Sequence, residues 1–188
     1  MAQKNNYAFI DSQNLNLGIQ KMGWKLDWRK FREMLADQYG VTKAFMFIGY
    51  MQENEFLYEQ MHDLGYLIVL KPTVESHNKE DDKRTKEQKI QEPEKKTVKG
   101  NIDADLVLYA MKEIPNYNQA IIVSGDGDFY SLAEYLIAEK KLLHIMTPNW
   151  QHSSLLKEFE SHIVRLDLMR RDLAYRTFNR GPAKKNTK

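Results

Sequence analysis

Ile121-Ile122-Val123-Ser124-Gly125-Asp126-Gly127-Asp128-Phe129 decides how the chain is read. An apolar, β-branched run of this kind forms a strand buried on both faces of a parallel sheet. It stops at Ser-Gly-Asp-Gly-Asp, and Phe129, Leu132, Ala133, Leu136 and Ile137 then recur at helical spacing. Two carboxylates therefore sit where the carboxyl end of a strand passes into a helix, the edge outside which open α/β sheets bind ligands. The glycines allow a tight turn there. Asp128 has two readings, as the N-cap of the following helix or as one of a pair of reactive carboxylates; capping accounts poorly for Asp126.

Working outward, Tyr7-Ala8-Phe9-Ile10-Asp11 reads as a first strand with a carboxylate at its tip. A short helix over 14–22 follows, then a second capped by Asp27, with Trp28, Phe31, Met34 and Leu35 on its apolar face. Residues 41–50 form a second strand, Asn54 starts a helix that Gly65 ends, and 66–70 form a third strand. The order βαβαβ predicts a parallel sheet joined by crossover helices. Beyond it, a helix over 103–114 is capped by Asn101 and closed by Pro115, with Leu106, Val107, Ala110 and Met111 facing inward. After the 121–129 stretch come a strand at 142–146, a turn at 147–150, and a helix through Phe159 capped by Ser153 or Ser154. An edge strand at 163–166 and a last helix at 168–176 complete the pattern.

Residues 75–96 interrupt this alternation. They are rich in lysine and glutamate, nearly without large apolar side chains, and their seven acidic and seven basic residues cancel. The segment reads as a mobile charged insertion, either passive or a flap over substrate. The expected organisation is one domain over 1–166 with this insertion inside it. A C-terminal helix and a basic disordered tail follow over 167–188. From Arg165 to Lys188 the net charge is +6 against +2 for the whole chain, so a mildly acidic body carries a basic tail suited to a polyanion. The chain has no cysteine, which excludes disulfides, thiolate metal sites and a cysteine nucleophile. No apolar run reaches the length of a membrane span and the first residues are polar, so no membrane partner and a cytoplasmic location are the expectations.

Asp11, Asp103, Asp126 and Asp128 are far apart in sequence, yet a doubly wound sheet can gather such strand and helix ends at one edge. Four close carboxylates cannot all stay ionised unaided, because each charge raises its neighbours' pKa. A divalent cation relieves that repulsion, and hard oxygen donors without cysteine or paired histidine favour Mg²⁺ or Mn²⁺. The chemistry that follows is hydrolysis of a phosphodiester. Asn14 either holds the water or scissile phosphate or caps a helix; Lys99 either contacts phosphate or is solvated. Ser124 either bonds a metal ligand or ends its strand, and Ser153 and Ser154 either receive a phosphate on their amides or cap. Asp105 faces away from Asp103 on an ideal helix, toward solvent. Trp150 is a base-stacking candidate, whereas Trp24 and Trp28 suit packing.

Asp11-Ser12-Gln13-Asn14, Lys99-Gly100-Asn101-Ile102-Asp103 and Ser124-Gly125-Asp126-Gly127-Asp128-Phe129, in that order, resemble the three signatures of the NYN domain, the LabA-like branch of the PIN-like nuclease superfamily. The resemblance runs from about Tyr7 to Leu166. It implies a PIN-like, Rossmann-like three-layer α/β sandwich with a mainly parallel sheet of five or six strands. It also implies a Mg²⁺- or Mn²⁺-dependent endoribonuclease acting on single-stranded or structured RNA. The family's acidic catalytic and metal positions fall on Asp11, Asp103, Asp126 and Asp128, and its asparagine on Asn14. Two positions depart from the pattern: Ser12 stands where glycine is frequent, and Tyr109 where many relatives have aspartate. Asp105 is the substitute the chain offers.

The alternative is a catalytically weak PIN-like adaptor that binds RNA or protein, and a homodimer is compatible with either. An aspartyl phosphatase fits less well, because Asp11-Ser12-Gln13 lacks a second aspartate two residues on. A phospho-receiver domain shares an acidic pocket but leaves Ser-Gly-Asp-Gly-Asp unexplained.

Overall fold

The apolar residues of the first strand divide by parity. Tyr7 and Phe9 enter one hydrophobic cluster, while Ala8 and Ile10 enter another on the opposite side. The same split recurs after residue 119, with Ala120 and Ile122 on the first side and Ile121 and Val123 on the second. Strands with both faces buried need apolar side chains at every position, which is why these segments show no polar alternation.

The computed structural model describes residues 5–49, 54–71, 74–75, 98–99 and 102–176, with 74–75 and 98–99 described through their backbone. Six strands form one all-parallel sheet: β1 (Asn6–Asp11), β2 (Val41–Gly49), β3 (Tyr66–Lys71), β6 (Ala120–Val123), β7 (Leu142–Thr147) and β8 (Ile163–Arg165). Their order is β3-β2-β1-β6-β7-β8. The chain winds outward from β1 to β3, returns to the middle and winds outward again, so the switch point of a doubly wound sheet lies between β1 and β6. Helices α1 (Ser12–Lys21), α2 (Trp28–Tyr39) and α3 (Glu55–Asp63) cover one face, burying Leu15, Ile19, Phe31, Met34, Leu35 and Met61. Helices α4 (Ile102–Lys112) and α5 (Tyr130–Ala138) cover the other through Ile102, Leu106, Ala110, Leu132, Ala133 and Leu136. The α/β sandwich expected from the sequence is therefore observed.

Local signals account for the element ends. Asp27 Oδ1 accepts the backbone N–H groups of Arg29 and Lys30 and so caps α2. Gly65, at φ +87°, reverses the chain after α3 into β3. Trp24 is buried, and Trp28 makes edge-on contacts with Phe31 and Tyr66, so both tryptophans pack as expected.

Two regions differ from the sequence reading. The interruption after β3 is bounded by a two-residue antiparallel ladder, β4 (Val74–Glu75) with β5 (Val98–Lys99). The rest of the charged insertion lies outside the described residues, as do Asn101 and the tail beyond residue 176. At the other end the expected helix over 168–176 is short: a 3₁₀ turn, Leu166–Met169, leads to α6 (Arg170–Leu173), after which the chain extends. Extension lets the backbone pair with the loop before α2. Ala174 bridges Leu26, the Asp27 N–H donates to the Leu173 carbonyl at 2.8 Å, and the Tyr175 N–H donates to the Lys25 carbonyl at 2.9 Å. Leu173 is 2% exposed inside the cluster of α1 and α2. Among the described residues no helix is long and apolar enough to cross a membrane.

This C-terminal strap is part of the folded body. Leu173→Ala should lower stability by about 2–5 kcal/mol, the usual range for emptying a leucine site. Urea unfolding followed by circular dichroism measures it.

Candidate active site

Asp11 is both the last residue of β1 and the N-cap of α1. Its Oδ1 accepts the Asn14 N–H at 3.0 Å and its Oδ2 accepts the Ser124 hydroxyl at 3.1 Å. The side chain reaches Ser124 because β1 and β6 are paired, Ile10 lying opposite Val123. Ser124 Oγ also accepts the Asp126 N–H at 3.1 Å, so one hydroxyl ties the two strand ends together. Asn14 adds a second tie, its Oδ1 accepting the Gly125 N–H at 2.9 Å. The sequence left Asn14 and Ser124 between structural and functional readings; both bond directly to the acidic loop, and Asp11 rather than Asn14 caps the helix.

Asp126 caps the 3₁₀ turn Gly127–Phe129, its Oδ1 accepting the Asp128 N–H at 3.0 Å. The capping role considered for Asp128 thus belongs to Asp126, because the chain bends one residue pair earlier than the helical pattern indicates. Asp128 itself is exposed. Asp103, in the first turn of α4, completes the group from the opposite layer.

Asp11, Gln13, Asn14, Leu17, Ile102, Asp103 and Asp126 line one cavity of about 270 Å³. Burial raises the Asp11 pKa above its ordinary 3.8, the hydrogen bonds from Asn14 and Ser124 oppose that rise, and the charge of Asp126 adds to it. Asp103 is also raised, first by burial and then by the charges of Asp11, Asp126 and Asp128, with Lys71 opposing. Asp103 therefore senses the charges of the other three aspartates, and Asp11 that of Asp126. Among the described residues no three His, Cys, Asp or Glu side chains already enclose a metal position. The donor set nevertheless has the chemistry of a Mg²⁺ or Mn²⁺ site. Its donors are hard oxygens whose mutual repulsion a cation offsets, and Mg²⁺ takes only one or two protein carboxylates while keeping waters.

The remaining sequence candidates fall around this centre. Asp105 lies outside the acidic cavity, as expected, but is only partly exposed, because it pairs with Lys71 at 2.9 Å and joins α4 to the end of β3. Ser153 donates its N–H to the Gly125 carbonyl at 2.9 Å, and its Oγ accepts the Leu155 N–H at 3.4 Å, capping a 3₁₀ segment, Ser154–His162. Ser154 opens that segment and is exposed. Lys99 lies in β5, and its side chain is outside the described residues. Ser12 donates to the Phe47 carbonyl at 2.7 Å. Tyr109 packs edge-on against Phe45 and Phe47.

Sequence reasoning missed the loop after β7. Gly18 lies mid-helix in α1, where glycine is unfavourable by about 0.5–1 kcal/mol relative to alanine. A Cβ there would stand 2.5 Å from Pro148 Cγ, so the glycine admits the loop. Asn149 is buried and donates from Nδ2 to the Gly18 carbonyl at 2.8 Å. A glycine inside a helical pattern together with a Thr-Pro-Asn turn was the available signal.

A sequence model of the NYN domain matches residues 7–167. The chain belongs to the NYN domain family. Low amplitude and bright protein LabA of Synechococcus elongatus is 22% identical over 166 residues, covering 86% of this chain and 83% of that protein. The crystal structure of VPA0982, a Vibrio parahaemolyticus protein of unknown function, superposes with a TM-score of 0.68. It is 19% identical and covers 93% of this chain and 99% of the other, so the likeness concerns the fold. NYN domains sit within the PIN-like nucleases, whose members are typically metal-dependent ribonucleases.

The raised pKa of Asp11 fixes the sign of a pH effect on this NYN domain. Between 3.8 and its higher folded value, the native state binds the proton that the unfolded chain has lost, so this contribution to stability falls as pH rises. Asp11→Asn, which can still cap α1, should melt at a higher temperature than the parent at pH 7 without divalent metal. The difference should shrink as pH falls toward 3.8. Calorimetric scans across that range check it.

Proposed function

We propose that this NYN domain is a Mg²⁺- or Mn²⁺-dependent endoribonuclease that hydrolyses phosphodiester bonds of single-stranded or structured RNA. The observation that carries the reading is the convergence of Asp11, Asp103 and Asp126 on one cavity at the switch point of the sheet. Asp128 adds its charge from the surface beside them. In this reading Asp11, Asp103 and Asp126 hold the cation, with Asp128 completing the acidic field. Once bound, the cation would supply water activation and charge stabilisation at the leaving oxygen.

The chain's own groups then have distinct tasks. Ser124 aims Asp11 by donating to Oδ2 and fixes the Asp126 backbone through the same oxygen. Asn14 spends its Oδ1 on the Gly125 N–H and leaves Nδ2 to donate to a phosphate oxygen. Ser153 and Ser154 serve through the loop, Ser153 anchoring it to the Gly125 carbonyl. Lys99, in β5 at the foot of the charged insertion, is the lysine assigned to phosphate contact in this reading.

A second reading, an RNA- or protein-binding module with feeble catalysis, draws on α4. Asp105 is engaged by Lys71 and Tyr109 by an aromatic cluster, which leaves Asp103 as the α4 carboxylate at the cavity. Titration calorimetry separates the two readings. The nuclease binds Mn²⁺ at the acidic cavity, whereas the adaptor binds RNA tightly and salt-sensitively with no heat from Mn²⁺.

Asp126→Asn keeps an oxygen able to cap the 3₁₀ turn. It should fold like the parent by circular dichroism and lose Mn²⁺-dependent cleavage of a labelled RNA by about 100-fold or more, in line with removing a charged metal ligand's contribution of several kcal/mol. Undiminished cleavage would overturn the proposal.

A further inference from the structure

Asn14, Leu17, Gly18 and Lys21 follow one another at i, i+3, i+4 and i+7 and so share one face of α1. This is not the face that holds the helix to the sheet, which is carried by Leu15 and Ile19. Together with Gly125, Pro148, Asn149, Gln151 and His152 the second face encloses a cleft of about 170 Å³. The cleft shares Asn14 and Leu17 with the acidic cavity, so the two adjoin along the helix.

The floor of this cleft is built rather than incidental. Gly18 admits Pro148 against the helix backbone, and Asn149 fastens the loop by donating to the Gly18 carbonyl and accepting the Gln151 N–H at 2.7 Å. His152 contacts the Asn149 carbonyl at 3.3 Å. The packing holds three kinds of group at the rim. Lys21 is an exposed cation that forms no ion pair among the described residues. Leu17 is 50% exposed at the cleft, and Trp150, which belongs to the same loop but does not itself line the cleft, is 57% exposed. Gln151 is exposed and His152 half-buried, and both offer polar edges. A cation, an apolar side chain and polar edges in one groove, with an exposed indole in the adjoining loop, match a nucleotide's phosphate, ring face and ring edge. From Asn14 to Lys21 the helix advances about 10 Å, enough to separate a scissile phosphate at the acidic end from a second phosphate at the basic end.

We propose that this cleft is a nucleotide subsite. It holds the RNA unit adjoining the scissile phosphate, with the base against Leu17 and Trp150 and the neighbouring phosphate at Lys21. The assignment rests on the ribonuclease reading for its substrate class, but the binding it describes needs no metal. The cleft selects single-stranded RNA, because a base must leave its stack to lie on the tryptophan.

The test measures binding of a 5′-labelled hexauridylate to the full chain by fluorescence anisotropy in EDTA, where no cleavage occurs. Lys21→Glu and Trp150→Ala should each weaken binding about tenfold, the size expected for one phosphate or one stacked base. Lys21→Glu should also reduce the slope of log affinity against log salt by about one contact. Arg29→Glu, a charge reversal on the exposed surface of α2, should change affinity by less than about twofold. Circular dichroism of each variant confirms the fold. Binding by the parent that neither Lys21→Glu nor Trp150→Ala weakens overturns the subsite while leaving the nuclease reading intact. Failure of the parent to bind overturns it as well. Loss of binding in both variants, in a protein that cleaves no RNA with Mn²⁺, upholds the subsite and removes the nuclease reading alone.

Discussion

The hydrogen-bonded pairing of β1 with β6 is the constraint on which the rest depends. These strands are neighbours in the sheet although Asp11 and Ser124 stand 113 residues apart in the chain. Their parallel register ends both strands at the same edge, and there the Ser124 hydroxyl joins the Asp11 carboxylate to the Asp126 backbone. Each hydrogen bond to a charged group of this kind contributes about 1.5–3 kcal/mol. It also fixes direction, which matters more: a carboxylate bonded through both oxygens has few ways to rotate. The two hydrophobic clusters on either side of the sheet hold the strand ends in this relation, and α4 brings Asp103 across from its own layer.

The acidic cavity concentrates negative charge where burial already disfavours it. Asp11 is 6% exposed and Asp103 half-buried, and both titrate above the ordinary aspartate value for that reason first and for mutual repulsion second. Like charges gathered in a partly dry cavity lower the stability of the empty protein at neutral pH. The apolar packing beneath, with Phe9, Ile10, Ile122 and Val123 fully buried, supplies the stability that tolerates this arrangement. Such opposition between local repulsion and global packing marks the cavity as a candidate ligand site.

How much of this was legible in the sequence depended on the range of the interaction. Strand and helix identities followed from period and capping residues: Asp27, Gly65 and the 121–123 run each act within a few positions, and the structure agrees with them. The convergence of Asp11, Asp103 and Asp126 was inferable because strand ends in a doubly wound sheet share an edge. Details set by cross-layer contacts were not. The partner of Asp105 is Lys71 at the end of β3, which no helical wheel reveals. The capping oxygen belongs to Asp126 because the loop bends through a 3₁₀ turn before α5 begins. The strap at 173–175 pairs with residues 25–27, a contact across almost the whole chain that local periodicity cannot encode.

The two-residue ladder between β4 and β5 has a consequence for how this architecture tolerates change. Val74 faces Lys99 and Glu75 faces Val98, so the departure and return points of the intervening segment are already side by side. With its ends pinned, lengthening such a segment adds only about 0.6 kcal/mol of closure entropy per doubling. The ladder therefore fixes the two ends of the segment independently of its length. Segments of different length fit between those pinned ends without any change to the six-stranded sheet.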